Sequence, residues 1–254
     1  MLKEKRREKI IEYLKISNYI SVFELSKKLN VSKATIRRDL SFLKKNSRIE
    51  KIHGGAALTD MSQKESTFLS RINKNIEEKK QIAMSAINLI RNNDVVFLDA
   101  GTTIFQLAKL LSKKKYDNLT VITNSIENAY ILRNSDISLY VVGGTLIKDT
   151  LALMGAQAEQ VIKNFHINKL FLAASGFDLD YGITTKSEFH ANFKKILINI
   201  SDKKILLIDS SKIGTISLNK IADIDKINIL VTNSEIDRKI LEKIRKTKID
   251  KIIY

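Results

Sequence analysis

The chain has 254 residues, 44% hydrophobic and 28% charged, which describes a folded globular protein with the length for two domains and argues against a disordered one. It has no cysteine, which excludes disulfides and thiolate metal sites, and its three histidines (His53, His166, His190) lack the spacing of metal ligands. The net charge of +16 is uneven: residues 1–60 hold 15 Lys and Arg against 7 Asp and Glu, and the rest of the chain holds 29 against 21. The same excess packed into the shorter segment points to a polyanionic partner there, most simply nucleic acid.

The opening "MLKEKRREKI" is charged from its third residue with no apolar segment behind it. No stretch approaches the ~20 apolar residues that cross a bilayer, so a cytoplasmic protein with no membrane partner is expected. An amphipathic helix fits Lys5 to Lys15, with Ile10, Ile11 and Leu14 inward. "SVFEL" opens a second helix, where Ser21 and Glu24 form an S-x-x-E capping box and Leu25 and Leu29 stand one turn apart. After the break Asn30-Val31, Ser32 caps a third helix whose Ile36, Leu40 and Leu43 make one apolar stripe. Two short helices joined by a tight turn make a helix-turn-helix, the second carrying basic and hydroxyl side chains off its stripe. "SRIEKIHGGAALT" then alternates Ile49, Lys51 and His53 with Glu50 and Ile52 and turns on Gly54-Gly55, which reads as a β-hairpin wing.

The stripe holds such a helix on its domain while the other face meets double-stranded DNA. Arg can bind guanine O6 and N7 together, and Thr and Ser reach bases or phosphate. Ser32, Lys33, Thr35, Arg37, Arg38 and Ser41 on the helix, with Lys51 and His53 on the wing, are the candidate contacts. The division expected is a winged helix-turn-helix over 1–58, a linker over 59–75 and an α/β unit over 76–254.

Beyond the polar linker, apolar β-type runs end in small or polar tips. "VVFL" leads to Asp99-Ala-Gly-Thr-Thr, "LTVI" to Thr123-Asn124-Ser125, and "LYVV" to Gly143-Gly144. "LFLAA" leads to Ser175-Gly176, "ILLI" to Asp209-Ser-Ser-Lys212, and "INILV" to Thr232-Asn233-Ser234. Helices lie between, among them Glu77 to Arg91 with Ile82, Ala86 and Ile90 inward, and Glu188 to Ser201 with Phe189, Phe193, Ile196 and Ile200 inward. The alternation predicts a buried, mostly parallel α/β sheet, which binds ligands beyond the carboxyl ends of its strands. In "DAGTT", Gly101 allows close backbone approach, and Thr102 or Thr103 opens a helix whose free N–H groups suit an oxyanion such as phosphate. Lys212 supplies positive charge, and Asp99 and Glu188 are carboxylates that could accept sugar hydroxyls.

"LNVSKATIRRDLSFLKK" followed by "IEKIHGGAAL" resembles the N-terminal domain of the DeoR family of bacterial transcriptional regulators. The resemblance extends through "EEKKQIA", "FLDAGTTI", "LTVITNS", "VVGGTL", "GITT" with Glu188 after it, and "LLIDSSKIG", which resemble that family's C-terminal sensor domain. It departs at Lys51-Ile52, where an arginine is expected in many members, and at Asn233, where the family often has an aspartate. The resemblance implies a sensor fold related to ribose-5-phosphate and glucosamine-6-phosphate isomerases, a sugar-phosphate effector, and release of a repressed sugar operon. It implies an effector site lined by Asp99, Gly101, Thr102, Thr103, Thr123, Asn124, Gly143, Gly144 and Lys212. A homo-oligomer, dimer or tetramer, is expected because operator half-sites repeat along DNA and one small winged unit offers little surface.

The alternative is a sugar-phosphate isomerase with an appended nucleic-acid domain, for which Asp99, Glu188, Asp209 and Lys212 are candidate bases. The basic helix-turn-helix favours the regulator, because an isomerase has no use for it. No G-x-x-x-x-G-K-[ST] loop, G-x-G-x-x-G or nucleophile elbow is present, so neither catalysis nor a cofactor or metal is expected.

Overall fold

The computed structural model describes residues 2–17, 19–45, 49–52, 55–60 and 67–254. The N-terminal unit runs α1 (Lys3–Ser17), β1 (Tyr19–Ser21), α2 (Val22–Leu29), α3 (Lys33–Lys45), β2 (Ile49–Ile52) and β3 (Gly55–Asp60). Its core gathers Ile10, Leu14, Leu25, Leu29, Ile36, Leu40, Leu43 and Ile49, which includes the expected stripe of the third helix. Helix α2 begins at the expected capping box: Ser21 Oγ accepts the Glu24 N–H at 3.1 Å, and the Glu24 carboxylate accepts the Ser21 N–H at 3.1 Å. Asn30, with φ 48°, ends the helix in the left-handed conformation that an asparagine tolerates and so makes the tight turn. Ser32 Oγ then accepts the Thr35 N–H at 3.1 Å and starts α3. Asp39, buried on α3, takes Arg6 Nε at 2.6 Å and Arg7 Nε at 3.0 Å and so pins α1 across it.

The wing is three-stranded: β3 lies between β2 and β1, antiparallel to both, with Ile52 opposite Gly55; Gly55 is thus the first residue of β3 rather than part of the turn, and Gly54 lies outside the described residues. At its far end β3 also pairs with a strand of the C-terminal unit.

That unit opens with α4 (Phe68–Ile72) inside the stretch expected to be linker, then α5 (Ile76–Ala86), β4 (Val95–Leu98), α6 (Thr102–Leu111), β5 (Thr120–Thr123), α7 (Ile126–Leu132) and β6 (Ser138–Val141). It continues with β7 (Thr145–Ile147), β8 (Ala152–Met154), α8 (Ala156–Ile162), β9 (Ile167–Ala173), β10 (Gly176–Asp178), β11 (Gly182–Thr185), α9 (Glu188–Asn199) and β12 (Ser201–Leu207). Last come β13 (Ile216–Ser217), β14 (Asn219–Ala222), β15 (Ile229–Val231), α10 (Arg238–Ile244) and β16 (Lys251–Ile253).

The six apolar runs form one parallel sheet in the order β16-β15-β12-β9-β4-β5-β6, with β16 as a seventh strand. From β4 the chain winds outward through β5 to β6; from β9 it winds the other way through β12 and β15 to β16. The order therefore reverses between β4 and β9, and their carboxyl ends form the crevice where such sheets take ligands. Each sheet face is covered by its own apolar cluster, one containing Phe97, Phe177, Phe193 and Leu206, the other Ile82, Val96, Leu107 and Phe171. The antiparallel strands β10, β11 and β14 form a separate three-stranded sheet, and β7 and β8 a hairpin.

Helix α9 presents a different face from the one expected. Phe189 is 64% exposed, while His190, Phe193, Lys194 and Leu197 are buried. This set also has helical spacing, and two polar contacts select it: Lys194 with Asp99, and His190 with Thr150.

Candidate functional site

A cleft open to solvent lies at the β4/β9 crevice. After β4 it is lined by Gly101, Thr102 and Thr103, after β9 by Ser175, and after β12 by Lys212. Helix α9 contributes His190 and Lys194, and Arg71, Thr150 and Thr185 complete its polar wall. Of the residues expected at an effector site, the structure brings Gly101, Thr102, Thr103 and Lys212 together here. Arg71, Lys194 and His190 were not anticipated. The sequence does place His190 and Lys194 one turn apart, on a face of α9 otherwise made of Ala191, Phe193, Leu197 and Ile198, a readable sign of a polar site.

The glycine of "DAGTT" is needed by the protein itself. Its backbone is extended, and a Cβ on Gly101 would lie 2.9 Å from the Ala173 Cβ. Only a residue without a side chain lets the start of α6 close against β9. The first-turn amides of α6, ten residues long, then face the cleft with Thr102 and Thr103.

Asp99 is where the structure corrects the expectation of a hydroxyl-binding carboxylate. It is fully buried; Oδ1 accepts the Ala100 N–H at 2.8 Å, and Oδ2 accepts the Ala173 N–H at 3.0 Å and meets Lys194 Nζ at 2.9 Å. Lys194 also donates to the Ala173 carbonyl at 2.6 Å. With these partners, Asp99 stitches β4 to β9 and aims Lys194 at the cleft.

Other expected residues lie off the lining. Thr123 is buried, its hydroxyl donating to the Leu98 carbonyl at 2.7 Å and accepting the Ser125 N–H at 3.1 Å. Asn124, also buried, donates to the Leu153 carbonyl at 3.4 Å. Gly143 is exposed, and Gly144, at φ 129°, would put a Cβ 2.6 Å from the Met154 carbonyl oxygen. Both serve the turn between β6 and β7. Glu188 is exposed on the first turn of α9.

The electrostatics favour an anion. Among the described residues the lining holds three cationic side chains, Arg71, Lys194 and Lys212, and no carboxylate. His190 Nε2 is 3.1 Å from Thr150 Oγ1, and burial, with Lys194 and Arg71 nearby, lowers its pKa to about 3, so its imidazole is neutral at pH 7. Lys212 Nζ is 3.1 Å from Asp209 Oδ2. Burial works against the Asp209 carboxylate, but Lys212 and the hydrogen bonds from Ser211 and Asn75 hold its pKa below the usual range. Asn233 fixes this turn: its Oδ1 accepts the Ser210 N–H at 2.7 Å and its Nδ2 donates to Glu235 at 2.9 Å, a donation no aspartate could make. Among the described residues no group of three or more His, Asp and Glu could hold a metal ion.

The second candidate surface is the outer face of α3. Lys33, Arg37, Arg38 and Ser41 are exposed there opposite the buried stripe, with Ser32 exposed at its cap and Thr35 half-buried. The guanidinium groups of Arg37 and Arg38 have no partner among the described residues, while Ser41 Oγ donates to the Arg37 carbonyl at 2.7 Å. Lys51 lies on β2, but its side chain, like His53, falls outside the described residues.

A family model described as the DeoR-like helix-turn-helix domain matches residues 6–62, and one described as the DeoR C terminal sensor domain matches residues 74–234. The HTH-type transcriptional regulator GolR of Listeria innocua is 37% identical over 239 residues, covering 94% of this chain and 93% of that protein. The putative aga operon transcriptional repressor of Escherichia coli O157:H7 is 32% identical over 251 residues, 98% of this chain and 93% of that one. A ribose 5-phosphate isomerase structure from Methanocaldococcus jannaschii aligns with a TM-score of 0.41 at 17% identity over 55% of each chain, a likeness too slight to bear on activity.

Proposed function

The chain belongs to the DeoR family of DNA-binding transcriptional regulators, and we propose that it represses a sugar-utilisation operon and releases its operator when a phosphorylated sugar binds. The observation that carries this reading is the cleft at the sheet's switch point, lined by three cations and several hydroxyls, in a chain that also presents a basic helix for DNA.

Residues 1–58 read the operator through Arg37, Arg38 and their neighbours, 59–75 connect, and 76–254 sense the effector. The phosphate sits at the α6 amides with Thr102 and Thr103, balanced by Lys212 and Arg71. Thr150, Ser175, Thr185 and the neutral His190 take the sugar hydroxyls. Asp99 acts through Lys194, and Thr123, Asn124, Gly143, Gly144 and Glu188 shape or flank the pocket without contacting the ligand.

We read the cleft as non-catalytic. Isomerisation needs a base of suitable pKa within reach of the substrate carbon. Asp99 is engaged by Lys194, Glu188 lies off the lining, and His190, with its pKa lowered to about 3, is a poor base at pH 7. Purified protein is expected not to turn over ribose 5-phosphate or glucosamine 6-phosphate.

A cytoplasmic homo-oligomer joined mainly through the α/β unit completes the reading; among the described residues no helix is long and apolar enough to cross a membrane. Exposed Tyr130 on α7 and Tyr140 and Val141 on β6 offer an apolar edge for a second copy. Two units held at operator spacing bind together, and a ligand that prefers the other arrangement weakens them by its differential affinity alone.

A thermal-shift screen of sugar phosphates tests the reading. At least one should stabilise the full chain, its unphosphorylated sugar only weakly, with Lys212→Ala removing most of that difference. Equal losses for sugar and sugar phosphate would take Lys212 out of phosphate binding, and no stabilisation by any sugar phosphate would contradict the effector class.

A further inference from the structure

We propose that the pairing of β3 with β13 is the switch through which the cleft acts on the DNA-binding unit, set by an anion held between Arg71 and Lys212. The proposal rests on the anion-site reading above and adds its regulation.

Strand β3 is the centre of the wing, flanked by β1 and β2. Its last two residues pair in parallel with β13, Thr59 opposite Ile216 and Asp60 opposite Ser217. One strand thus belongs to the DNA-binding unit at one end and to the sensor at the other.

From the cleft, β13 is reached along a short stretch with little slack. Lys212 lines the cleft, and its carbonyl accepts the Thr215 hydroxyl at 2.8 Å. Between them the Gly214 N–H donates to the Phe177 carbonyl at 2.7 Å. A Cβ on Gly176 would come within 2.4 Å of the Thr215 carbonyl oxygen, so the stretch is packed directly on β10. The Ser217 N–H donates at 2.9 Å to Thr184 Oγ1, and the next residue, Thr185, lines the cleft. A shift of Lys212 therefore carries to Ile216.

Arg71 is tied to the same stretch from the other side. The Lys79 ammonium, buried, donates to the Arg71 and Lys74 carbonyls and holds the end of α4. Asn75 Nδ2 then reaches Asp209 Oδ1 at 3.3 Å and Ser211 Oγ at 3.1 Å, on the turn that carries Lys212. Lys194, by contrast, is fixed to the sheet by Asp99. Burial and the nearby Lys212 lower the pKa of Lys79 to about 8, a sign of how closely the cations crowd. An anion between Arg71 and Lys212 relieves that crowding and draws their two segments together. A two-residue pairing is weak by itself, so modest differential affinity suffices to make or break it.

Amide hydrogen exchange on the full chain tests this, with inorganic phosphate as the probe and sodium chloride of equal ionic strength as the control. Phosphate should slow exchange at 101–104 and change it by about tenfold, a typical allosteric coupling, at both 213–217 and 55–60. In Arg71→Ala and in Lys212→Ala, saturating phosphate should still protect 101–104 while 55–60 no longer responds, and Arg71→Lys should restore part of that response. Protection of 101–104 with no change at 55–60 in the unaltered chain would overturn the switch and leave the anion site standing. A wing response that survives both alanine changes would also overturn it, and no protection anywhere would overturn the site and the switch together.

Discussion

Replacing Lys194 with methionine leaves Asp99 a fully buried carboxylate without a counter-ion. The two charges stand 2.9 Å apart, with side-chain exposures of 5% and 0%. At an effective dielectric near 20 their attraction is about 6 kcal/mol, and burying both charges takes back much of it. Removing only one partner forfeits the attraction while the carboxylate stays buried, a loss of about 3–5 kcal/mol for pairs of this kind. The N–H donors of Ala100 and Ala173 remain on Asp99, which puts the expected loss near the lower end. Urea unfolding of the full chain, followed through the transition of the α/β unit, should therefore show Lys194→Met destabilised by about 3 kcal/mol. Asp99→Asn should be costly too, because its amide must turn a donor toward one of those two N–H groups. Combining the changes should cost about 1–3 kcal/mol less than their sum. A Lys194→Met protein within about 0.5 kcal/mol of the parent, the range of an ordinary surface change, would refute this account of the cleft floor.

Arg37→Ala or Arg38→Ala should each cost about 1–3 kcal/mol of operator affinity for a base contact, or reduce the salt slope by about one for a phosphate contact; a correctly folded double variant binding at full strength would remove the assignment. Asp39→Ala should destabilise the N-terminal unit by about 2–4 kcal/mol, read from its thermal transition, because Arg6 and Arg7 lose the buried anchor that holds α1 on α3. His190 should make the fold acid-sensitive. Its folded pKa of about 3 lies below the ordinary 6.5, so as pH falls between these values the unfolded chain takes up a proton that the folded chain refuses. Stability is then lost downward through that window, by up to roughly 5 kcal/mol at its lower end, and His190→Gln should flatten that part of the pH profile.

What was legible in the sequence was what repeats or caps locally. The Ile36/Leu40/Leu43 stripe, the Ser21/Glu24 box and six apolar runs ending in polar tips are periodic or nearest-neighbour features, and each is present in the fold. Contacts between distant segments were not legible. A carboxylate at a strand tip looks alike whether it meets a sugar hydroxyl or a buried lysine, and only the fold brings Asp99 against Lys194. Helix α9 has two faces of plausible spacing, and only its polar partners across the fold decide that Phe189 points outward. Arg71 lies on a helix of five residues within a polar stretch, too short for any period to show, and β13 is shorter still.

The central claim is that one chain couples a sugar phosphate to operator affinity. It is tested most directly by fluorescence-anisotropy titration of the full chain against a duplex selected from a random-sequence pool. The titration is run at fixed ionic strength, with and without the sugar phosphate that gives the largest thermal shift. The account predicts that saturating ligand weakens DNA binding about 5–150-fold, the usual span of such couplings, and that saturating DNA weakens ligand binding by the same factor. Identical isotherms with and without a ligand that demonstrably binds would contradict it.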